Sequence, residues 1–569
     1  MTPDNKAGRH LLTVLVEDYF HVGAFEKLIQ QRNWQNFEPR YEQNTLKALD
    51  LLDRYNAKAT FFVLGWIAEQ SPDLLREIAR RGHEVASRGF YHRGLNNLTS
   101  DEFREDVRRS AKAIEAAIGQ SPQGYRAAEK LEFGKDDWVL DVLGEEGYAY
   151  DASFMPNGQT AKPRRAAFRA ETDAGHIWEF PYATLDLAVG VLPISGGNYI
   201  RQFPYTLMRK AVRNWSRREE QPFPFYFHVW ELDPEQPRIS AASQMTRLRH
   251  YRKLDKMEWI LHENLALYDN VGIADHLGIK AAFAPAEQSR GSLPHASPVE
   301  VSAADLSPKT AVTVVIPCYN EAEALPYLAN TLRSVETRLA QGGYSTNFIF
   351  VDDKSKDETL ELLETLFAEW DNVRIIAHKR NWGVAAGVLS GIRSARTEVV
   401  CSMDCDCTYD PHELLRMLPL LTGDVQLVTA SPYHKDGGVR NVPGWRLFLS
   451  KGASFLYRRV LRSKLDTYTS CFRVYRRSAF ADMEIDETGF LGVAEMLGRV
   501  DIAGGEIVEF PAVLEVRLFG LSKMKTAKTV AGHLKLLVRL AKMRFFGNSP
   551  AIQASMPAEK LQVSNTSTD

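Results

Sequence analysis

The sequence predicts two α/β domains joined by a linker. In the first half, apolar runs with the character of strands at 11–16 and 59–65 alternate with helical patterns. The second half repeats this order, with strand-like runs at 312–317, 347–353 and 398–404. Alternation of strands and helices is typical of parallel sheets covered by helices. Both domains are therefore expected to belong to the α/β class.

Length and composition fit a folded protein with more than one core. The chain has 569 residues, of which 44% are hydrophobic and 25% charged, as expected for globular domains. The net charge of −2 argues against a nucleic-acid-binding protein. We therefore predict no nucleic-acid partner, and nothing in the sequence predicts an oligomeric state.

The pattern of cysteines and the lengths of the apolar runs indicate in which cellular compartment the protein is located. All five cysteines lie in the second half without a regular framework, which fits reduced thiols. The first ten residues carry no secretory signal, and no run reaches the roughly 18 apolar residues that a spanning helix needs. We expect a cytoplasmic protein, peripheral at the inner face of the cell membrane.

Domain boundaries follow from changes in composition. The segment 281–311 is rich in Ala, Ser and Pro and has no periodicity, so we interpret it as a linker. The tail 548–569 has too little apolar content to order and is predicted to be disordered. This leaves a first domain at 10–280, a second at 312–525 and a helical segment at 526–547.

Two carboxylates, Asp404 and Asp406, stand one residue apart at the end of the apolar strand at 398–404. In that position they can hold one Mg²⁺ or Mn²⁺ while the oxygens of a diphosphate fill other ligand positions. A D-x-D sequence by itself most often marks a solvated turn. The metal prediction therefore depends on the surrounding motifs.

Further polar motifs of the second half stand in a characteristic order around this pair. They are Pro317-Cys318-Tyr319-Asn320-Glu321, Asp352-Asp353 with the following Lys354-Ser355-Lys356-Asp357, and Asn381-Trp382-Gly383 with Gly387 and Gly391. With these motifs, the chain from 312 to 525 resembles glycosyltransferase family 2. The resemblance implies a GT-A fold and a nucleotide-sugar donor, UDP- or GDP-linked.

The resemblance also implies roles for single residues. Pro317, Tyr319, Glu321 and Asp352 would hold the nucleoside, while Asp404 and Asp406 would hold the metal and the diphosphate. Asp353 is included as a second nucleotide-site carboxylate, with helix N-capping near Ser355 as the equal alternative.

Within this family the sequence is most similar to dolichol- or polyprenyl-phosphate glycosyltransferases, which implies a polyprenyl phosphate acceptor and an inverting hexosyl transfer. The segments that carry the similarity are 404–414, 442–461, 466–477, 489–497 and 517–523. One departure is Ser431-Pro432-Tyr433, where the family often has an Arg after the Ser. One phosphate contact is therefore expected to be missing.

Two basic stretches suit an anionic acceptor and a membrane surface. Seven Lys or Arg and no acid lie between 437 and 465, and eight with no acid lie between 517 and 547. Arg517 and Lys523 are predicted to bind the acceptor phosphate in catalysis. Arg446, Ser450 and Lys451 are predicted to face the acceptor phosphate or the lipid headgroups, and Arg458, Arg459 and Arg462 extend that face.

The segment 526–547 has the pattern of an amphipathic helix at a membrane interface. Its basic face consists of Lys528, Lys535, Arg539 and Lys542, and its apolar face of Val530, Leu534, Leu537, Val538 and Ala541. The alternative is an ordinary core helix with one solvated face. The absence of acids favours an anionic membrane surface as the partner.

The first half resembles the NodB-type polysaccharide deacetylases, especially those encoded with exopolysaccharide systems, and the implied fold is a distorted (β/α) barrel. The motifs are Glu17-Asp18-Tyr19-Phe20-His21, Gly82-His83-Glu84, Gly124-Tyr125-Arg126-Ala127, Tyr150-Asp151-Ala152-Ser153 and Phe227-His228-Val229-Trp230. His83 we interpret as a structural hydrogen-bonding residue rather than a ligand.

That family uses an Asp and an i, i+4 pair of His around Zn²⁺, but here the pair is Arg88 and His92. Arg stays protonated and cannot bind a metal, so zinc is not expected and Arg88 is predicted to pair with Asp18. Leu15 and Ala128 are further departures from the family pattern. The degenerate pocket consists of Glu17, Asp18, Arg88, His92, Arg126 and His228, and either sugar binding or a purely structural role is open for it.

The motifs lead to three functional hypotheses for the whole chain. The first is a glycosyltransferase with an accessory deacetylase-like domain. The second is a bifunctional enzyme that also deacetylates an N-acetyl sugar in cell-envelope or exopolysaccharide synthesis. The third, a membrane scaffold without catalysis, predicts damaged metal motifs in both halves, whereas Asp404-Cys405-Asp406 is intact.

Overall fold

The computed structural model describes residues 8–156, 165–187, 190–279, 310–442, 444–520 and 526–547. The chain folds into two compact units. The first unit contains strands β1 to β13 and helices α1 to α10, and the second contains β14 to β22 and α11 to α17.

The first unit alternates strands and helices along the chain. Its strands are β1 Arg9–Val16, β2 Thr60–Val63, β3 Glu84–Ser87, β4 Gly124–Tyr125, β5 Leu131–Glu132, β6 Tyr150–Asp151, β7 Phe154–Met155, β8 Phe168–Thr172, β9 Gly175–Glu179, β10 Thr184–Leu187, β11 Gly190–Pro193, β12 Phe223–His228 and β13 Asp269–Val271. Its helices are α1 Tyr41–Arg54, α2 Gly65–Gln70, α3 Pro72–Arg80, α4 Ser100–Ile118, α5 Trp138–Glu145, α6 Asn198–Gln202, α7 Tyr205–Ser216, α8 Gln244–Tyr251, α9 Met257–Leu267 and α10 Ile273–Leu277.

The main sheet of this unit runs β12-β1-β2-β3-β4-β6-β9-β8, with β13 also paired to β1. All neighbours are parallel except β8 and β9. Among the described residues no hydrogen-bonded pairing joins β8 to β12, so the barrel is open and distorted. The predicted α/β class is confirmed.

Local sequence explains how the helices of this unit begin and end. Helix α4 starts with a capping box, in which Glu102 N donates to Thr99 Oγ1 and Thr99 N donates to the Glu102 carboxylate. It ends at Gly119, whose φ of 74° lies in the left-handed region. Leucine and isoleucine side chains of α1 and α3 pack on the sheet and form the core with the aromatic residues of β2 and β12.

The second unit is a three-layer arrangement of helices around a sheet. Its strands are β14 Thr310–Cys318, β15 Tyr344–Asp352, β16 Val373–Ala377, β17 Val399–Ser402, β18 Val425–Ser431, β19 Gly438–Val439, β20 Arg473–Arg476, β21 Glu506–Pro511 and β22 Val513–Leu514. Its helices are α11 Leu325–Gln341, α12 Thr359–Leu366, α13 Val384–Ser394, α14 Leu414–Met417, α15 Gly444–Val460, α16 Phe490–Ala503 and α17 Thr526–Phe546.

The sheet order of the second unit is β16-β15-β14-β17-β20-β18-β21, and β20 is antiparallel to both of its neighbours. Strand β14 is parallel to both β15 and β17, so these three strands end at the same edge. Ligands of such sheets bind outside the carboxyl ends of the strands. The α/β prediction is confirmed for this unit too.

One glycine fixes how closely a helix approaches the sheet. A Cβ atom at Gly391 of α13 would lie 2.2 Å from Cγ1 of Val315 on β14. Only glycine fits at this distance, because a larger residue forces the helix away from the strand. The helix packs tightly on the strand that leads to the candidate site.

Among the described residues, no helix is both long and apolar enough to cross a bilayer.

Candidate active site

The loops that follow β14 and β15 form one wall of the candidate site in the second unit. Asp352 lies opposite Cys318 in the parallel register, and its carboxylate accepts a hydrogen bond from Ser355 N at 3.2 to 3.3 Å. The side chain is almost fully buried. The end of β15 is thereby held in a fixed turn beside the end of β14.

The loop after β14 is tied to the loop after β15 by side chains that the sequence did not single out as functional. Asn320 N donates to Ser355 Oγ at 2.9 Å, and Lys356 N donates to the Asn320 side chain at 2.7 Å. Glu321 N donates to Thr359 Oγ1 at 2.8 Å. Asn320 has a positive φ of 53°, which Asn tolerates better than most residues. These bonds fix the segment that carries Tyr319 and Glu321.

Asp404 and Asp406 follow β17, the third strand that ends at this edge. Met403 N donates to Val315 O at 3.2 Å, which continues the pairing with β14, and Cys407 N closes a turn onto Asp404 O at 3.3 Å. Burial, and then the charge of Asp406, raise the pKa of Asp404 to about 7. The two predicted metal ligands are brought together where the sequence placed them.

Arg517 is the cation that faces these acids. Its guanidinium lies 3.4 Å from Asp406 Oδ2 and pairs with the carboxylate of Glu321. Glu515 N donates to Thr408 O at 2.9 Å, so the chain after β22 runs along the D-x-D turn. Although burial opposes the charge, Asp406 and Glu321 raise the pKa of Arg517.

Cys471 is a neighbour of the site that the sequence analysis missed. Its thiol is buried beside the Asp404 carboxylate, and this neighbour lowers the pKa of Asp404 against the larger effect of burial. Burial raises the pKa of Cys471 well above its usual value, so the thiol stays protonated. A cysteine 67 positions along the chain from its partner gives no signal in the sequence, because only the antiparallel strand β20 brings them together.

Asp353 does not cap a helix near Ser355, and that alternative is wrong. Its carboxylate accepts hydrogen bonds from Trp382 N at 2.8 Å and Gly383 N at 2.6 Å, and lies 2.8 Å from His378 Nδ1. His378 Nε2 lies 3.0 Å from Ser390 Oγ. The bond to Ser355 N goes instead to Asp352. Asp353 therefore anchors the Asn-Trp-Gly loop, and direct contact of its carboxylate with a nucleotide stays a prediction.

The predicted acceptor residues lie partly within the described chain. Ser450 lies beside Tyr433 and offsets part of the effect of burial, which raises the pKa of Tyr433, and Lys451 Nζ lies 5.5 Å from the centre of the Tyr433 ring. Tyr433 therefore stands beside both residues, next to the position where an Arg was expected. The side chain of Arg446 and the whole of Lys523 lie outside the described residues.

Helices α15 and α17 pack against each other and expose large apolar side chains. Tyr457 Oη lies 2.8 Å from His533 Nδ1, and Arg544 Nη1 donates to Val460 O. The exposed residues, which we call the α15–α17 surface, are Phe448, Leu449, Phe455, Leu456, Val530, Leu534, Val538, Phe545 and Phe546. Exposed apolar patches of this kind mark interaction surfaces.

The predicted faces of α17 are partly wrong. Leu537, together with Leu536 and Leu540, is buried in the core rather than on the exposed apolar face. Arg539 forms ion pairs of 2.7 and 2.8 Å with Asp486 and Glu487. The helix thus has a core face and an exposed apolar face, since a helical projection cannot tell which apolar stripe finds a partner.

Two cations of the basic face predicted for α15 are also placed differently. Arg458 is paired with Asp466 and donates from Nε to Leu465 O at 2.6 Å. Arg462 lies beyond the end of the helix at Val460. Asp466, which follows in sequence, therefore neutralises one cation of this stretch.

The first unit holds a buried charge cluster at the carboxyl end of β1. Glu17 accepts a hydrogen bond from Arg88 Nε at 2.8 Å, and its other oxygen lies 2.5 Å from His228 Nδ1. His92 Nε2 lies 3.1 Å from both the Glu17 carboxylate and Arg88 Nη2. Burial favours the neutral acid, but Arg88, His228 and His92 lower the pKa of Glu17 well below its usual value. Glu17, Arg88, His92 and His228 are therefore brought together as predicted.

Asp18 is not the partner of Arg88, and that prediction is wrong. Its carboxylate accepts hydrogen bonds from Tyr19 N at 2.8 Å and from the backbone N–H groups of Arg40 and Tyr41 at 2.6 and 2.9 Å. Consecutive residues point in opposite directions where a strand ends, so Glu17 faces the pocket and Asp18 faces the loop before α1.

Arg126 lies apart from the Glu17 cluster. Its guanidinium carbon is 4.6 Å from the ring centre of Tyr182 and 4.5 Å from that of Tyr226. Its Nη1 reaches Thr13 Oγ1 at 3.5 Å inside the barrel. His83 accepts a hydrogen bond from Ala59 N at 3.3 Å, as its structural interpretation predicts.

The residues of the pocket do not fit a zinc ion. Zinc needs a convergent set of N, O or S ligands with an open position for water. Here the guanidinium of Arg88, which remains charged, occupies hydrogen-bonding distance of both Glu17 and His92. A zinc ion there would be repelled by the fixed positive charge of Arg88, which occupies the place of a fourth ligand.

Comparison with known families places both units. The model of glycosyl transferase family 2 matches residues 313–483, that of polysaccharide deacetylase residues 28–150, and a domain of unknown function, DUF3473, residues 152–270. Similar proteins support the first match. The polyprenol monophosphomannose synthase of Mycolicibacterium smegmatis is 31% identical over 229 residues, which covers 39% of this chain and 83% of that protein. The chain belongs to glycosyl transferase family 2, and its first half is similar to polysaccharide deacetylases over residues 28–150.

Two further similarities were found. The dolichol-phosphate mannosyltransferase of Pyrococcus furiosus is 29% identical over 233 residues, covering 41% of this chain and 64% of that protein. The chain thus spans a little under two thirds of that relative. A CE4 family pseudoenzyme from Bacillus anthracis has 16% identity and a TM-score of 0.26, covering 49% of this chain and 68% of that one.

Proposed function

We propose that the second unit transfers a sugar from a nucleotide-sugar donor to a polyprenyl phosphate at the cytoplasmic face of the membrane. The observation that carries the proposal is the group at the carboxyl edge of the sheet. Asp352 ends β15, Asp404 and Asp406 follow β17 on the other side of β14, and Arg517 is held against Asp406 and Glu321. A site of this kind suits a donor with a nucleoside, a diphosphate and a sugar.

A divalent cation, Mg²⁺ or Mn²⁺, fits the charges of this site. Glu321 and Asp406 both pair with the guanidinium of Arg517, and burial, followed by the charge of Asp406, raises the pKa of the neighbouring Asp404. Asp404 and Asp406 would hold the cation, which would neutralise the diphosphate as it leaves. Hard carboxylate oxygens are the donors these ions prefer.

The acceptor determines what the protein has to do. A lipid phosphate is already an anion at neutral pH, so it can attack the anomeric carbon without a general base. The new bond joins the phosphate oxygen to that carbon, and the bond to the nucleoside diphosphate breaks on the opposite side, which inverts the anomeric centre. The protein's task is to bring two anions together, and Arg517 and Lys451 would lower that repulsion.

The names of the relatives support this acceptor and suggest the first donors to test. One is a dolichol-phosphate mannosyltransferase and the other a polyprenol monophosphomannose synthase. We propose a UDP- or GDP-linked hexose for this chain, with GDP-linked mannose as the first candidate.

Peripheral binding to an anionic membrane is part of the proposal. The α15–α17 surface exposes Phe448 at 79% and Val538 at 58% of their area, and Lys535 and Lys542 of α17 are also exposed. Apolar residues interleaved with cations suit the headgroup region of a bilayer. This placement would bring the acceptor to the unit that consumes it.

The first unit is proposed as an accessory domain rather than a deacetylase. The pairing of Arg88 with Glu17 fills the pocket with a fixed cation, which argues against the bifunctional alternative.

The test is a transfer assay with the full-length protein, a panel of radiolabelled nucleotide sugars, polyprenyl phosphate and Mg²⁺ or Mn²⁺. We expect one donor to label the lipid fraction, with release of the nucleoside diphosphate. Labelled lipid that survives Asp404→Asn, or label transferred only to water or to a sugar hydroxyl, would overturn the proposal.

A further inference from the structure

The first unit carries a basic, partly apolar surface that none of the functions above explains. It is formed by α7 and by α8 with the two residues that follow it. From 205 to 218 there are five Lys or Arg and no acid, and from 244 to 253 there are four and again no acid. Such a local excess of positive charge in a chain with a net charge of −2 needs a physical reason.

Helix α7 separates its two faces cleanly. Met208, Ala211, Val212 and Trp215 are buried in the core of the unit. The opposite side exposes Arg209, Lys210, Arg213 and Arg217, together with Leu207 at 54% of its area. In the described part of the chain, no carboxylate lies within ion-pair distance of these four cations, so their charge is directed to solvent.

Helix α8 continues this surface. Met245 and Leu248 are exposed at 58% and 56%, and Arg249 and Arg252 are exposed beside them. The beginning of α7 lies near α8, because Gln202 Nε2, at the end of α6 and three residues before α7, donates to Arg249 O at 2.8 Å. We call Leu207, Arg209, Lys210, Arg213, Arg217, Met245, Leu248 and Arg249 the α7–α8 surface.

A buried ion pair makes the surface rigid. Arg201 and Glu231 are both fully buried and joined at 2.7 Å, and Arg201 Nη1 donates to His250 O at 3.1 Å. The segment that leads into α7 is therefore fastened to the end of α8 by a buried cation. Tyr205, the first residue of α7, packs edge-on against the exposed Trp259 of α9, with 4.8 Å between the ring centres.

We propose that the α7–α8 surface binds an anionic phospholipid surface. The cations match lipid phosphates and acidic headgroups in charge. A soluble polyanion would need only these cations, whereas the exposed leucines, methionine and neighbouring tryptophan gain when they enter an apolar phase. Arginine and lysine can keep their charged ends at the headgroups while their stems lie along this apolar area. The inference rests on the first unit alone and does not depend on the transferase proposal.

The test is co-sedimentation of the full-length protein with phosphatidylcholine vesicles, with and without phosphatidylglycerol. The quadruple variant Arg209→Gln, Lys210→Gln, Arg213→Gln, Arg217→Gln should lower the partition coefficient on anionic vesicles by about tenfold or more. The matched control is Arg80→Gln, Arg108→Gln, Lys112→Gln, Lys135→Gln, which removes the same charge from exposed positions on other elements of this unit. It should change the partition coefficient by less than about twofold, because only cations close to the bilayer interact with it strongly.

A second measurement isolates the apolar contribution. Brominated acyl chains should quench the fluorescence of Trp259, and the difference from a Trp259→Phe variant should report that residue despite the other tryptophans. Leu207→Ser with Leu248→Ser should reduce the quenching without changing the thermal midpoint of the free protein. Unchanged quenching in that variant would overturn the proposal.

The outcomes distinguish this surface from the α15–α17 surface and from other anions. The loss caused by the α7 quadruple variant should recur in a protein that also carries Leu534→Ser and Val538→Ser. Equal partitioning of the two quadruple variants would overturn the proposal. So would an α7 variant that loses binding to a soluble sulfated polysaccharide but keeps full binding to anionic vesicles.

Discussion

The Nε atom of Arg88 donates a 2.8 Å hydrogen bond to a carboxylate oxygen of Glu17, and both side chains are at least 97% buried. The pocket thus holds a cation that is part of the chain, where the deacetylases that it resembles hold an exchangeable Zn²⁺. Breaking a buried pair by removing one partner is costly, because the remaining charge is left without compensation. Two predictions follow from this geometry.

Replacing Arg88 by Gln should destabilise the first unit by about 3 kcal/mol at neutral pH. The pKa of Glu17 is lowered in the folded state, so its stabilising effect is complete above its unfolded value of 4.5 and is lost as the pH falls below that value. The difference between wild type and variant should therefore shrink towards pH 3. Urea unfolding with hydrogen exchange of first-unit peptides measures it, and a pH-independent difference would contradict the ion-pair account.

Replacing Arg88 by His should create zinc affinity that the wild type lacks. The change removes the fixed cation of Arg88. It also adds a neutral imidazole as the third ligand, beside the carboxylate of Glu17 and the imidazole of His92. Metal analysis of dialysed protein measures it, with Arg88→Gln as the control that removes the charge but adds no ligand. Stoichiometric zinc in the unmodified protein would show that Arg88 does not block the site.

Replacing Asp404 or Asp406 by Asn should lower sugar transfer by at least about 100-fold while the fold is retained. The lost effect is neutralisation of the diphosphate by the bound cation. Removal of metal with EDTA should have the same effect, and Mg²⁺ or Mn²⁺ should restore the rate. Asp424→Asn, at an exposed position outside the site, is the control. Full activity of the EDTA-treated enzyme would exclude the metal role.

Replacing Gly391 by Ala should destabilise the second unit by about 1–3 kcal/mol, because the added methyl group would overlap Val315. Gly452 is the matched control, since it also lies in a helix but a Cβ there meets no atom of the described residues within 4 Å. Gly452→Ala should stabilise the helix by up to about 1 kcal/mol. A Gly391→Ala variant that is as stable as the wild type in a denaturant titration, or more stable, would mean that α13 does not approach β14 this closely.

Replacing Leu534 and Val538 by Ser should weaken flotation with anionic liposomes without unfolding the protein, because both side chains are more than half exposed. Leu46→Ser, at a similarly exposed position in the first unit, is the control. Deleting the whole helix is a poor test, since it also removes Leu536 and Leu540 from the core. Undiminished flotation of the double variant would exclude this surface from membrane binding.

The sequence predicted the features that depend on local order. Strand ends place Asp352, Asp404 and Asp406 at one edge, because parallel strands have a fixed direction and the acids follow the apolar runs directly. The α/β class followed from the same alternation of strands and helices.

The features that depend on side-chain direction could not be predicted. Arg88 pairs with Glu17 rather than Asp18, and the choice between neighbouring residues is decided by which of the two faces the pocket where β1 ends. Cys471 reaches Asp404 only because β20 is inserted antiparallel beside β17. The anchoring of the Asn-Trp-Gly loop by Asp353 needed the position of His378, which no spacing rule supplies.

Helix α17 shares its residues between the core and the exposed side, and this has a mechanical consequence. Leu536, Leu537 and Leu540 are part of the same packed cluster as Val315 of β14. The helix cannot separate from the unit without disrupting part of that cluster. A bilayer that binds α17 would therefore contact a rigid surface instead of a flexible tether. The bound helix would hold the edge of the sheet that carries the candidate site at a constant height and tilt.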